Sequence, residues 1–382
     1  MATIALVLSI VLPAFLIGLS VFALISKILY GKKSRSDDFI PKCGIFVPCK
    51  GLPNDFEANI EQFFKLSYPD YNLYFAVESE TDAAVEVIRK KIELHNKGEL
   101  VVSERTKHCG QKNLNLVRAV EKSDMTADIL VFADSDIAPT ANWLDSLISP
   151  FQNEKVTATT GFRWLYPQNG SLGGIVHSFQ NYMLFVLFVF SSKFFNSGLW
   201  GGSMAIRKKD YDDLNVRERW LETSVDDLSL AEILVRRKKK TVFCFDAITD
   251  TDDTINDYGK VGKWYVRQVQ YLKYHNKISW FFAVLLSLAA FVMYSFVAIV
   301  FVCGVPSLIP VCFLGGIYLF AAMFALFGKK NKIFKFVLLA PISLFNVCVC
   351  VIKTAFEDKI DWSGYRYFMN FKDGKVKKVE TI

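Results

Sequence analysis

The fold is decided by Ile129-Leu130-Val131-Phe132-Ala133-Asp134-Ser135-Asp136. Five apolar residues make a short β-rich run, and the run stops on two carboxylates one residue apart. Two such groups at the end of a buried strand repel each other unless a cation lies between them. A divalent metal with oxygen ligands and free positions for phosphate oxygens satisfies that geometry. A lone Asp-x-Asp triplet is common by chance, so its surroundings have to be read.

Outward from this strand, similar runs occur at Cys43–Pro48 and Leu73–Val77. Helical patterns lie between them, at Asn59–Leu66, Ala83–His95 and Gln111–Val120. Strands spaced by helices predict an α/β domain with a largely parallel sheet. Ligands in such sheets bind at the carboxyl ends of the strands. There, Glu78-Ser79-Glu80-Thr81-Asp82 follows one strand and Asp134-Ser135-Asp136 another. Glu222-Thr223-Ser224-Val225-Asp226-Asp227 opens a further helical pattern. For any one of these, helix capping is the ordinary explanation.

Composition sets the wider frame. Of 382 residues, 52% are hydrophobic and only 22% charged, with 34 Phe, and the mean hydropathy is +0.25. Ile4–Ser26 and Ile278–Gly328 carry no charge, and the second run is about twice the ~20 residues a helix needs to span a bilayer. A wholly soluble enzyme, a secreted disulfide scaffold and a disordered chain are excluded. The eight cysteines and four histidines show no zinc-finger spacing. The net charge of +7 clusters beside the apolar runs, at Lys32 and Lys33 and at Lys329, Lys330 and Lys332. That pattern follows membrane topology and points away from nucleic acid.

These features predict an N-terminal transmembrane anchor over 1–32, with positive charge after it placing the following chain in the cytosol. A cytosolic α/β domain over 40–275 comes next, then a transmembrane hairpin over 278–328 broken at Gly304-Val305-Pro306-Ser307. Residues 333–354 contain Pro341 and read as a re-entrant or interfacial pair of helices, or as a fourth span. Residues 355–382 read as a basic cytosolic tail.

Several further segments fall in an order that resembles the ceramide glucosyltransferases and their bacterial lipid-glycosylating relatives. These are inverting glycosyltransferases of the GT-A fold. The resemblance covers about residues 41–275. Pro48-Cys49-Lys50-Gly51 resembles the family's opening strand end. Glu78 to Asp82 is similar to its first acidic motif. Lys112-Asn113-Leu114-Asn115 resembles its lysine helix start, and Asp134-Ser135-Asp136 its DxD motif. Trp200-Gly201-Gly202 resembles the acceptor-side loop, and Asp226-Asp227 the pair ending in the catalytic aspartate. Where the family carries Q/RxxRW, this chain reads Arg267-Gln268-Val269-Gln270-Tyr271. Arg267 is kept, while Gln270 and Tyr271 replace arginine and tryptophan, so this segment brings less charge to a diphosphate.

The resemblance implies a membrane-bound enzyme that moves a hexose from a UDP-sugar to a lipid hydroxyl and forms a β-glycolipid. Asp134 and Asp136 would hold Mn²⁺ or Mg²⁺. Pro48, Lys50, Lys112, Arg267, Gln270 and Tyr271 would line the donor, with Glu78 or Asp82 on its base or ribose. Trp200, Gly201, Gly202 and Asp226 would face the acceptor, and Asp227 would be the general base. A cytosolic active site on a bacterial plasma membrane, or on a Golgi or endoplasmic-reticulum membrane, fits this organisation. A polysaccharide synthase of the same fold and a non-catalytic sugar-nucleotide binder are the alternatives. Three or four apolar segments are few for a polymer-threading pore. Sugar, acceptor and oligomeric state are not legible.

Overall fold

The computed structural model describes residues 2–31, 36, 38–123, 126–167, 170–253, 255–328 and 332–382. The basic residues Lys32, Lys33, Lys329 and Lys330, used above for topology, lie outside this set. The chain opens with α1 (Ala2–Tyr30), after which β1 (Cys43–Pro48), α2 (Phe56–Phe63), β2 (Tyr71–Val77), α3 (Ala84–His95), β3 (Glu99–Val102), α4 (Gln111–Lys122) and β4 (Ile129–Ala133) alternate. Next come α5 (Trp143–Ile148), β5 (Val156–Pro167), α6 (Leu172–Phe195), β6 (Ser203–Arg207), α7 (Lys208–Asp213), α8 (Val216–Trp220), α9 (Asp227–Arg236) and β7 (Lys240–Asp253). The last part holds α10 (Tyr258–His275), α11 (Lys277–Cys303), α12 (Ile309–Ala322), α13 (Ile333–Leu338), α14 (Ala340–Lys353), β8 (Lys359–Trp362), β9 (Tyr365–Met369) and β10 (Val376–Thr381).

The chain divides into a sheet-containing unit (29–164, 191–251 and 359–382) and a helical unit (1–28, 165–190 and 252–358). The domain expected over 40–275 therefore contributes two of its segments to the helical unit.

In the sheet-containing unit, seven strands run in the order β3-β2-β1-β4-β6-β5-β7. The first four are parallel, and β6 is antiparallel to both β4 and β5. Side chains alternate across these strands, so each builds two cores. Ile45, Val47, Leu73, Phe75 and Val131 meet Ile60, Phe63, Ile88, Trp143 and Leu147 on one face. Phe46, Tyr74, Leu130 and Phe132 meet Leu116, Val117, Trp220 and Leu230 on the other. Phe132 packs edge-on against Trp220, centroids 4.9 Å apart. The strand order reverses between β1 and β4, and at such a switch point ligands of α/β sheets bind beyond the carboxyl ends of the strands.

The final strands form a second, antiparallel sheet in the order β10-β9-β8. Residues 355–382 were expected only as a basic tail, but from Lys359 onward they are an ordered part of this unit.

Among the described residues, four helices are long and apolar enough to cross a membrane: Thr3–Tyr30, Leu172–Phe195, Lys277–Cys303 and Ile309–Phe327. The second was not anticipated. Polar groups bind the helical unit internally. Tyr182 donates to Ser20 Oγ at 2.9 Å, Gln180 Nε2 to Asn346 Oδ1 at 2.8 Å, and Tyr294 to the Pro341 carbonyl at 2.7 Å. The stretch after Lys332 breaks at Leu339, with Pro341 in the first turn of α14. The 14 residues of α14 rise only about 21 Å, short of the ~30 Å hydrocarbon core.

Candidate active site

Lys112 is the hub of the sheet-containing unit's polar centre. It sits one residue into α4, whose start is fixed by the Gly110 amide donating to the Thr223 carbonyl at 2.8 Å. Its Nζ lies 2.7 Å from Asp134 Oδ1 and 3.0 Å from Asp226 Oδ2, and donates to the Gly201 carbonyl at 3.4 Å. Burial opposes the charge on this lysine, but Asp134, Asp226 and Asp227 outweigh it and raise its pKa. Burial likewise opposes ionisation of Asp134, and Lys112 and Arg163 reverse the balance and lower its pKa. A buried ammonium among carboxylates stays charged because each removes the other's desolvation penalty.

Asp226 and Asp227 stand at the start of α9. Asp226 is buried, and its backbone carbonyl accepts from Trp220 Nε1 at 3.0 Å. Asp227 accepts from the Gly201 amide at 2.9 Å on Oδ2 and from the Leu228 amide at 2.6 Å on Oδ1. Burial and the neighbouring Asp226 charge push its pKa up to about 7, against Lys112 and the two amides. A carboxylate with such a pKa is half-protonated near neutrality and can take or return a proton.

The loop Trp200-Gly201-Gly202 allows this close approach only because its two glycines lack side chains. A Cβ on Gly201 would come within 2.3 Å of Asp226 Oδ2, and one on Gly202 within 2.6 Å of Asp134 Oδ2. The Trp200 amide donates to Thr160 Oγ1 at 3.0 Å.

Asp136 points elsewhere. Its Oδ2 lies 2.5 Å from Arg163 Nη1, and its Oδ1 is buried with no hydrogen-bond partner among the described residues. Arg163, on β5, lies 5.5 Å from the Trp200 ring centroid. It was not singled out from the sequence; a cation inside the apolar run Thr160-Gly161-Phe162-Arg163-Trp164 was the available signal.

Asp134 and Asp136 suit a hard divalent cation. Mg²⁺-type sites use one or two carboxylates and complete the shell with water and phosphate oxygens, and Asp136 Oδ1 is an orphaned buried acceptor. Lys112 and Arg163 balance the two carboxylates here.

The remaining candidates are spread over both units. Lys50 follows Pro48 at the end of β1 and lies 3.0 Å from Glu78 Oε2. Asp82 Oδ1 accepts from the amides of Gly51 at 2.8 Å and Ala84 at 2.9 Å, so it joins the first loop to the start of α3. Arg267, Gln270 and Tyr271 lie on α10 in the helical unit, with Gln270 and Tyr271 buried.

With this geometry in place, comparison with known proteins is informative. Residues 6–375 match glycosyl transferase family 21. The chain belongs to that family. It is 22% identical over 241 residues to ceramide glucosyltransferase 1 of Caenorhabditis elegans, covering 61% of this chain and 51% of the relative. A 64-residue stretch is 38% identical to ceramide glucosyltransferase 3 of the same organism, 17% of this chain and 14% of that one. The match thus spans about half the length of the first relative and less of the second. Among solved structures, the mannosyltransferase PcManGT from Pyrobaculum calidifontis, in complex with GDP-Man and Mn²⁺, superposes with a TM-score of 0.60. It does so at 16% identity, over 90% of this chain and 98% of that one. The family 21 chain therefore has the GT-A fold, as its motifs implied.

Proposed function

We propose that this family 21 protein is an inverting glycosyltransferase that moves a hexose from a UDP-sugar to the hydroxyl of a membrane lipid. Asp227 carries this reading. A carboxylate held near pH 7 beside the Gly201 loop is matched to deprotonating an alcohol as it attacks. One displacement of that kind inverts the anomeric carbon, so an α-linked donor yields a β-glycoside. The proton passes to Asp227, and the nucleoside diphosphate leaves with the electron pair of the broken bond.

Lys112 places a fixed positive charge beside the point where the leaving group gathers charge, and preorganised charge of this kind acts most strongly in a desolvated site. Asp134 and Asp136 would hold Mn²⁺ or Mg²⁺, which when bound neutralises the diphosphate. Lys50, Glu78 and Asp82 would meet the nucleoside, and Trp200, Gly201, Gly202 and Asp226 the acceptor. Arg267, Gln270 and Tyr271 are assigned to the diphosphate on family resemblance alone. The GDP-Man and Mn²⁺ of the mannosyltransferase support a nucleotide-sugar donor with a divalent ion.

The lipid acceptor is supported by the two ceramide glucosyltransferases and by the apolar helices. Segments that fold together into one sheet-bearing domain outside the bilayer lie on one side of it. Residues 29–164, 191–251 and 359–382 share a unit. That favours crossing by α1, α11 and α12, with α6 and the pair α13–α14 not completing a span, and a cytosolic sheet-containing unit.

The test incubates purified protein with UDP-hexoses, GDP-mannose and a panel of membrane lipids, read by mass spectrometry and by the anomeric configuration of the product. A β-hexosyl lipid made from a UDP-sugar is expected. Polymer without lipid product would favour a polysaccharide synthase, and nucleotide binding without transfer would favour a binder.

A further inference from the structure

Residues 359–382 do more than end the chain. Strands β8 and β9 are joined through Ser363 and Gly364, both left-handed at φ 53 and φ 83. That is the two-residue turn whose twist matches an antiparallel pair. The turn is seated on the carboxyl ends of the parallel strands. Lys50 Nζ donates to the Ser363 carbonyl at 2.8 Å and lies 4.8 Å from the Tyr365 ring centroid. The Tyr365 hydroxyl donates to Glu78 Oε1 at 3.2 Å, while Lys50 holds Oε2 at 3.0 Å.

The same strand reaches two further site-bearing segments. The Tyr367 hydroxyl accepts from the amide of Gln111, the residue before Lys112, at 3.2 Å. Ser224, two residues before Asp226, places its Oγ 3.3 Å from Met369 Sδ. Tyr365, Tyr367 and Met369 are all buried. One strand thus touches the ends of β1 and β2, the start of α4 and the approach to α9.

We propose that this C-terminal hairpin is a positioning element of the donor site, in which Tyr365 fixes the orientation of Glu78 and Lys50 toward the nucleoside. The inference rests on the reading above, in which Lys50 and Glu78 belong to the donor. Each carboxylate oxygen offers about two acceptor positions. With Tyr365 on Oε1 and Lys50 on Oε2, Glu78 keeps a defined direction for a ligand donor on Oε2. Burial and the Glu78 charge push the Tyr365 hydroxyl up to about 12, so it remains a hydrogen-bond donor at neutral pH.

The test uses the full chain in detergent, with calorimetric UDP binding and donor kinetics for wild type, Tyr365→Phe, Glu78→Gln and the double variant. Tyr365→Phe keeps the ring and removes only the hydroxyl. Its Kd for UDP and KM for donor should rise about tenfold, the order expected for a lost hydrogen bond to a charged group. Its kcat should stay within about twofold and its Tm unchanged, as expected of a group lost equally from ground and transition states. The double variant should bind UDP no worse than Glu78→Gln. Lower Tm and kcat with unchanged donor affinity would reduce Tyr365 to a structural role and overturn the inference, as would additive effects in the double variant. Wild type that binds no UDP would remove the donor reading itself, and this inference with it.

Discussion

The Gly201 amide donates to Asp227 Oδ2 at 2.9 Å, so the loop before β6 and the first turn of α9 are held as one piece. The same glycine's carbonyl accepts from Lys112 at 3.4 Å. Loop, base and lysine therefore share one residue, and a side chain there would strike Asp226 at 2.3 Å. Gly201→Ala should lower turnover by about a hundredfold by displacing the loop, the scale seen when reacting groups shift by about an ångström. Normal kinetics in this variant would show that the loop does not set the site.

Asp227→Asn keeps the shape and removes the proton acceptor. Transfer should fall by about 10²–10⁴, with UDP affinity changed less than about twofold, since the interaction lost is made in the transition state. The wild-type profile should rise with pH through about 7, as the carboxyl deprotonates. The sign for stability is opposite. A carboxyl whose folded pKa is raised favours the folded state below its unfolded pKa, and that advantage is lost as pH rises toward about 7. Asp227→Asn should therefore raise Tm at pH 8 more than at pH 5. If Asp227→Asn turns over normally and Asp226→Asn is inactive, the base is the other aspartate.

Lys112 is surrounded by Asp134 and Asp226, whose side chains are 26% and 4% exposed. Removing one member of a buried ion cluster leaves unpaired charge and costs about 3–5 kcal/mol. Lys112→Met should lose stability on that scale, and adding Asp226→Asn should restore part of it. A Lys112→Met protein as stable as wild type would mean that this cluster is well solvated.

Arg163 competes for the acidic pair. At 2.5 Å from Asp136 Oδ2, its charge opposes a cation on the same carboxylate. Arg163→Gln should lower the Mn²⁺ concentration needed for half-maximal UDP binding, and Asp136→Asn should raise it, each by about tenfold for a change near 1.4 kcal/mol. Full activity of wild type in excess chelator would exclude a metal requirement.

Much of this centre was legible because strands and motifs are local. Cys43–Pro48 and Ile129–Ala133 form strands with the expected bounds, and the helix expected from Gln111 begins there. Two elements escaped for physical reasons. In α6, Gly173, Gly174, His177, Ser178, Gln180 and Asn181 dilute an otherwise apolar helix, and most of these are buried against protein. In the C-terminal sheet, the basic excess hid a period of two in Tyr365-Arg366-Tyr367-Phe368-Met369, whose alternate residues are buried. Its role depends on Glu78 and Gln111, more than 250 residues earlier, a distance at which local pattern carries no information.

Lys359–Ile382 fold with residues 29–164, so the tail belongs on the side of the sheet-containing unit whatever α13 and α14 do between them. An odd number of crossings between α10 and β8 is incompatible with that placement. In the proposed topology helices α11 and α12 supply two, joined at Gly304, whose left-handed φ of 63 ends α11. The bend at Leu339 and Pro341 leaves α13 and α14 each too short to add a third. Single cysteines report each side in a background where the eight native cysteines, all free, are replaced. Glu154→Cys marks the sheet-containing unit, Val305→Cys the turn between α11 and α12, and Lys377→Cys the C-terminal sheet; all three positions are exposed. In sealed right-side-out vesicles, a membrane-impermeant thiol reagent should label only the Val305→Cys protein. The other two should react only after permeabilisation. Labelling at Lys377→Cys with Glu154→Cys still protected would mean that the chain crosses once more after α12 and that the C-terminal sheet cannot pack on the unit bearing Glu78.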